Sequence, residues 1–213
     1  SFTAIKNRSG SSSDLSSQIH CILQSMPDAF HSQDLNSSDL VQVRSSRTAM
    51  VGRLEHNNET LYFKAFLPRN RWDTLKSLVR GSRCQRAVIN KQLLRTAGFN
   101  VADVVAWTEH KGIGVMLTRA MPGNNADLFL DKPKRLMTHR EKKRHRALLE
   151  EIGRQTGALH ACGFGHGDLR LSNILVFFEV DRPIIYFLDN ERTTFYGRVP
   201  KRMVVKNLTQ INV

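Results

Sequence analysis

The sequence predicts an α+β protein in which a small, mainly β lobe precedes a short helical lobe. Three stretches with strand-like patterning follow Leu40, and a helical periodicity runs from about Arg140 to Cys162. Met121-Pro122-Gly123 interrupts the pattern between them and would serve as a hinge. A cleft between two such lobes is a usual place for a ligand. The predicted organisation is a polar leader over residues 1–38, an N-terminal lobe over 39–120 and a compact C-terminal lobe over 121–213.

Composition is typical of a globular protein and excludes a transmembrane helix. The chain has 213 residues, of which 40% are hydrophobic and 24% charged. The longest apolar runs, Ile174–Phe178 and Ile184–Leu188, have the length of buried strands and fall far short of the roughly 20 residues that a membrane span needs. The three cysteines are odd in number and widely spaced, which favours a reducing compartment over a disulfide framework.

The N-terminal lobe begins with three predicted strands, and the third of them contains a lysine. The strands are Leu40–Arg44, Ala49–Glu55 and Thr60–Leu67, with a hairpin at His56-Asn57-Asn58 joining the last two. In the third strand Lys64 shares a face with Tyr62 and Phe66. An ammonium in such an apolar strand must reach water or an anion, because burying it unpaired is costly. An edge position with the amine extending to solvent is the alternative interpretation.

The remaining elements follow from periodicity and from helix-ending glycines. A helix is predicted around Ser82–Thr96, ending at Gly98. In the long helix, apolar positions recur at steps of three and four residues through Leu149, Ile152, Thr156 and Leu159. The further predicted strands are Val101–Trp107, Gly114–Arg119, Ile174–Glu179 and Pro183–Leu188.

Polar residues flank the last two predicted strands and have the chemistry of a phosphoryl-transfer site. Asp168 lies in a turn after the long helix, Asn173 at the entry to one strand and Asp189 at the exit of the next. Converging there, they supply hard oxygen ligands for Mg²⁺ and leave one carboxylate to orient a hydroxyl and accept its proton. Lys64 could hold phosphate oxygens. Each residue alone is weak evidence, whereas the ordered set is specific.

The net charge of +13 is concentrated in two segments. Between Thr74 and Ala102 there are six Lys or Arg and no acid, and between Lys132 and Arg146 there are eight against Glu141 alone. This concentration suggests attraction to a polyanion, although two solvated helix faces would also explain it. Neither segment interleaves aromatic residues with its cations, and no nucleic-acid-binding motif is present, so nucleic acid is not expected.

With these motifs in place, the chain resembles the protein-kinase-like superfamily, and within it the bacterial lipopolysaccharide core kinases that phosphorylate heptose or 3-deoxy-manno-octulosonic acid (Kdo). The resemblance covers roughly Leu40 to Leu208 and implies a bilobal kinase-like fold. It rests on the following runs: Leu61–Phe66, Arg80-Gly81-Ser82-Arg83, Ala97-Gly98-Phe99, Leu117–Gly123, His166–Leu175 and Leu188–Thr193.

The resemblance implies a role for each site residue. Asp168 would be the catalytic base, and Arg170 falls where protein Ser/Thr kinases carry a lysine that reaches the transferring phosphate. Asn173 and Asp189 would bind Mg²⁺, and Lys64 the α- and β-phosphates of ATP. The adenine would meet the hinge backbone at Arg119, Ala120 and Met121.

The chain departs from the kinase pattern in three ways. No acid in the first helix can pair with Lys64; Ala87 occupies that position in the best register, which leaves Gln85 or Asn90 as weaker partners. No Gly-rich phosphate loop is present, since only Gly52 lies near the first strands. Only 24 residues follow Asp189, which favours the compact bacterial type or a shortened chain.

The expected function is ATP- and Mg²⁺-dependent phosphorylation of a sugar hydroxyl of the lipopolysaccharide inner core. The enzyme would be cytoplasmic and peripheral at the inner face of the cytoplasmic membrane, where segments 74–102 and 132–146 would contact anionic glycolipid. One alternative is a kinase acting on another small molecule, although the basic balance argues against a cationic antibiotic. The other is a nucleotide-binding pseudokinase, which the missing helix acid favours and the intact Asp168, Asn173 and Asp189 oppose.

Overall fold

The computed structural model describes residues 40–46, 49–56, 58–67, 81–110 and 113–211. The predicted leader at 1–38 and the first part of the basic segment 74–102 lie outside these residues. The chain divides into two compact units. One contains the residues up to Val88 together with Asp103–Ala120, and the other contains Ile89–Ala102 with Met121 onward.

The first unit is built on a five-stranded antiparallel sheet with the strand order β1-β2-β3-β5-β4. Asn58, with a φ of 61°, lies in the β2–β3 hairpin, which is closed by the pair His56 and Glu59. The predicted strands are confirmed here with ends moved by one or two residues, apart from β4. The strands are β1 (Leu40–Ser46), β2 (Ala49–His56), β3 (Glu59–Phe66), β4 (Val104–His110) and β5 (Ile113–Arg119).

Strand β3 alternates between the two faces of this sheet. One face is fully buried through Leu61, Phe63 and Ala65, as the period-2 pattern predicted. On the other face Phe66 packs against helix α1 (Arg83–Thr96). Lys64 shares that second face, and its Nζ lies 5.1 Å from the centroid of the Phe66 ring.

The second unit is mainly helical, with a short antiparallel hairpin. Its sheets have the orders β6-β8-β9 and β10-β7, and three 3₁₀ turns cover Lys134–Leu136, Leu171–Asn173 and Asn190–Arg192. None of the described helices is long and apolar enough to cross a membrane. The elements are β6 (Asn124–Asn125), α2 (Ala126–Leu130), α3 (His139–Ala161), β7 (Phe164–Gly165), β8 (Ile174–Glu179), β9 (Arg182–Phe187), β10 (Thr194–Phe195) and α4 (Lys201–Ile211).

Helix α3 begins with a capping box, in which the Thr138 hydroxyl accepts from the Glu141 N–H and the Glu141 carboxylate accepts from the Thr138 N–H. Its buried face confirms most of the predicted periodicity, but the position given to Leu149 was wrong. Leu149 is about half exposed and Leu148 is fully buried, because Leu148 lies one turn before Ile152 on the same face. That face packs in one core with apolar residues of β8 and β9.

The strand predicted to begin at Val101 begins only at Val104. Val101 is buried in the core of the second unit, together with Phe99 and Phe187. The N–H of Phe187 donates to the carbonyl of Asn100 at 3.0 Å. The segment before β4 therefore connects α1 to the hairpin of the second unit, which explains its apolar composition.

Gly52 lies opposite Phe63 in the β2–β3 ladder, where a side chain does not fit. A Cβ at this position would lie 2.1 Å from Cε1 of Phe63. We expect Gly52→Ala to lower the free energy of unfolding by roughly 1–3 kcal/mol through overpacking. Gly157→Ala is the control, since it adds a methyl in α3 with no neighbour within 4 Å and should stabilise by roughly 0.5–1 kcal/mol. Urea denaturation measures both; equal stabilities for Gly52→Ala and wild type would contradict the close approach.

Candidate active site

The loop from His166 to Asn173 connects β7 to the β8–β9 hairpin and contains five polar residues of the predicted motif. Its backbone forms tight turns, since the N–H of Asp168 donates to the carbonyl of His166 at 2.7 Å. Gly167 has a φ of +68°, and a Cβ there would lie 2.4 Å from the carbonyl oxygen of Arg192. A glycine is therefore required immediately before Asp168.

His166 is fully buried and connects this loop to the strand end that precedes Asp189. Its Nε2 donates to the carbonyl of Leu188 at 2.9 Å, and its own N–H donates to Oδ1 of Asn207 at 3.2 Å. Burial lowers the pKa of His166, so the imidazole is neutral at neutral pH. His166 thus has a positioning role in the loop.

Asp168 presents a partly exposed carboxylate that is held by donors on one oxygen. Oδ1 accepts from Nε of Arg170 at 2.9 Å and from Nε2 of Gln210 at 3.3 Å. No donor in the described part of the chain reaches Oδ2. The Arg170 side chain is 63% exposed, so its guanidinium can also face an incoming anion. The structure thereby brings together the predicted base and the predicted cation.

Asn173 lies beside both predicted carboxylates through backbone contacts. Its Nδ2 donates to the carbonyl of Asp168 at 2.9 Å, and its carbonyl accepts from the N–H of Leu188 at 2.8 Å. Leu188 directly precedes Asp189, so these bonds bring the backbone of Asp168 and Asn173 next to the strand end that continues into Asp189.

Asp189 has the left-handed backbone conformation, with a φ of 54° and a ψ of 47°. A non-glycine residue adopts it at a cost of order 1–3 kcal/mol, and such residues cluster at functional sites. The following turn is held by α1, because Nδ2 of Asn90 donates to the carbonyls of Asn190 and Thr193, both at 2.8 Å. The amide donors of Asn90 are therefore used on this turn. Asn90 was one of the two suggested partners of Lys64.

The residues predicted to bind the nucleotide lie outside the loop from His166 to Asn173. Lys64 is half-buried in β3 of the first unit, and Ala87, at the position of the missing acid, is buried in the apolar cluster of α1. At the predicted hinge, the N–H of Arg119 donates to the backbone carbonyl of Asp103, and the N–H of Ala120 donates to the backbone carbonyl of Thr60. The backbone N–H of Met121 has no backbone acceptor among the described residues.

Sequence reasoning missed the contribution of helix α4 to this loop. Asn207 is completely buried, and its Oδ1 also accepts from Nε2 of His160 at 3.0 Å. It lies four residues from both Met203 and Ile211, on the inward face of the helix. A polar residue at such an apolar-face position was the signal that could have identified it.

The fold is of the kinase-like class. A solved structure of WaaP in complex with acyl carrier protein superposes with a TM-score of 0.60 at 21% identity, covering 80% of this chain and 68% of that chain. This confirms the predicted α+β kinase-like fold. Residues 41–213 match the lipopolysaccharide kinase (Kdo/WaaP) family, and the chain belongs to that family. The predicted family is confirmed, and the protein is a kinase of lipopolysaccharide biosynthesis. No curated protein matches the chain significantly.

The buried imidazole of His166 makes stability dependent on pH. Because its pKa is lowered in the folded state, the unfolded chain binds more protons than the folded one below about pH 6.5. We expect the free energy of unfolding to fall as the pH drops from 7 to 5, by up to about 1.4 kcal/mol per pH unit for this group. Urea denaturation at each pH measures how steeply the free energy of unfolding changes with pH. His166→Gln should reduce this slope, whereas the exposed control His139→Gln should keep it. Equal slopes in all three proteins would contradict the prediction.

Proposed function

We propose that this kinase transfers a phosphoryl group from ATP to a sugar hydroxyl, of heptose or Kdo, in the inner core of lipopolysaccharide. The observation that carries the proposal is that Asn173 links the backbone of Asp168 to that of Leu188, the residue before Asp189. Family membership supports lipopolysaccharide as the acceptor class.

Asp168 acts as the base in this proposal. Its Oδ1 is engaged by two donors, so Oδ2 is the oxygen that orients the acceptor hydroxyl and takes its proton as the oxygen attacks the γ-phosphorus. The bond from that phosphorus to the ADP oxygen breaks in the same displacement. The guanidinium of Arg170 stabilises negative charge on the transferring group.

Asn173 and Asp189 fit a magnesium ion. The amide of Asn173 uses its Nδ2 on the Asp168 carbonyl, which leaves Oδ1 as the ligand atom. A carboxylate and an amide oxygen are hard donors of the kind Mg²⁺ prefers. When bound, the ion would neutralise phosphate charge.

ATP is the proposed phosphoryl donor because kinases of this fold use it. Lys64 would contact the α- and β-phosphates, as the resemblance implies for a strand lysine. Of the three hinge residues, Met121 would donate its N–H to the adenine, since the N–H groups of Arg119 and Ala120 are already used.

The central test is phosphate transfer from Mg·ATP to purified rough-core lipopolysaccharide. We expect Asp168→Asn to lower kcat by a factor of roughly 10²–10⁴, the range for loss of a general base. The control Asp131→Asn removes an exposed carboxylate at the end of α2 and should leave kcat unchanged.

Two results would contradict the proposal. Transfer that persists in Asp168→Asn would exclude Asp168 as the base. Nucleotide binding by the wild-type protein without transfer to the glycolipid would favour the non-catalytic alternative, which the absence of an acid near Ala87 in α1 had raised.

We further propose that the protein is peripheral at the cytoplasmic membrane surface, through part of the segment 132–146. Some of its cations have internal partners: Arg140 and Arg144 contact Oδ1 of Asp181 at 3.0 and 2.9 Å and lower the pKa of that carboxyl. The Arg144 guanidinium also lies 5.0 Å from the Phe178 ring centroid. The exposed side chains of Arg135, Lys142 and Lys143 are the best candidates for lipid contact, and Lys143 Nζ also lies 3.9 Å from Oδ2 of Asp181.

Anionic liposomes test this surface. Each cation near an anionic membrane contributes about 1 kcal/mol, so replacing Arg135, Lys142 and Lys143 with Gln should weaken sedimentation with such vesicles by about 100-fold. The charge-matched control replaces the exposed Arg198, Lys201 and Arg202 with Gln. Equal losses in both variants would indicate a net-charge effect and contradict a defined surface.

A further inference from the structure

Helix α4 contacts four consecutive residues of the candidate active-site loop from one of its faces. Three polar side chains of the helix together contact loop residues 166 to 169. Asn207 accepts from the N–H of His166, Lys206 Nζ donates to the carbonyl of Gly167 at 2.5 Å, and Gln210 contacts both Asp168 and Leu169.

Gln210 uses both ends of its amide on the loop. Its Oε1 accepts from the N–H of Leu169 at 3.0 Å, and its Nε2 donates to Oδ1 of Asp168 at 3.3 Å. Because the amide is planar, a bond at each end restricts its rotation. The Leu169 side chain is completely buried, so the backbone to which Gln210 binds is itself fixed.

The helix is held in this position by a second amide. Asn207 is fully buried and accepts from the loop at His166 and from His160 of α3, and its Nδ2 lies 3.5 Å from Oε1 of Gln210. Asn207 lies three positions before Gln210 on α4 and is bonded to the loop and to α3. These bonds therefore hold the turn of α4 from which Gln210 extends.

Gln210 restrains the Asp168 carboxylate more firmly than Arg170 does. Arg170 belongs to the same loop, and its side chain is 63% exposed, so it can turn toward solvent or toward a phosphate. Gln210 is the donor to Oδ1 that comes from outside the loop. A fixed Oδ1 directs Oδ2 toward the acceptor, and a displacement of about 1 Å in such a group can cost 10²-fold in rate.

We propose that Gln210 is a positioning residue for Asp168, through which α4 supports the candidate active site. The inference rests on the proposed role of Asp168 as the base. It extends that role by assigning the orientation of its carboxylate to a residue that lies 42 positions further along the chain.

The test compares two substitutions with a neighbouring control. Gln210→Met preserves length and removes both bonds, whereas Gln210→Glu keeps an acceptor for the Leu169 N–H, loses the donor to Asp168 and adds a like charge. We expect each to lower kcat about tenfold with KM values for ATP and lipopolysaccharide within about twofold, corresponding to ~1.4 kcal/mol in the transition state alone. Thr209→Ala, an exposed neighbour, should have wild-type kinetics.

Rates are expressed per nucleotide-binding protein, so that an unfolded fraction does not lower kcat. Wild-type kcat in Gln210→Glu, or a change confined to KM, would overturn the positioning role while leaving the proposed function intact. Should Gln210→Met not fold, Gln210→Glu decides alone, because it retains the bond to the loop backbone. Undiminished transfer in Asp168→Asn would instead overturn the proposed function.

Discussion

The candidate site depends on the backbone of Leu188, to which both ends of the candidate active-site loop are bonded. Its N–H donates to the carbonyl of Asn173, and its carbonyl accepts from the imidazole of His166. These two bonds fix the loop that contains Asp168 relative to the strand end that continues into Asp189. Since hydrogen bonds weaken steeply with distance and angle, the loop cannot move away from this strand end without losing one of these bonds.

Burial makes this arrangement specific as well as rigid. A buried donor or acceptor that loses its partner costs about 1–3 kcal/mol, so the bonds of His166 Nε2 and of Asn207 Oδ1 disfavour any arrangement that breaks them. The strained backbone of Asp189 is tolerated within the same network, because Asn190 bonds back to the carbonyl of Phe187 and Asn90 bonds to the turn from α1. The left-handed backbone of Asp189 is thus supported by neutral hydrogen bonds around it.

The sequence predicted most of this fold because its signals are local. Alternation in β3 and the glycines that end helices act over a few residues, and so does the spacing from Asp168 to Asn173. The contacts of α4 with the loop could not be predicted in this way, because they join residues about 40 positions apart. Leu149 was misplaced for a related reason: two adjacent leucines fit one helix face almost equally, and tertiary packing selected Leu148.

Helix α1 contacts the segment after Asp189 although it has no acid at the position of Ala87. Ala87 packs in an apolar cluster with Phe66, where a carboxylate would be desolvated. One turn further on, Asn90 donates both amide hydrogens to the segment after Asp189. In this chain α1 is therefore linked to the candidate metal ligand through uncharged hydrogen bonds. Such bonds are less sensitive to ionic strength than an ion pair, which suits an enzyme whose surface is strongly basic.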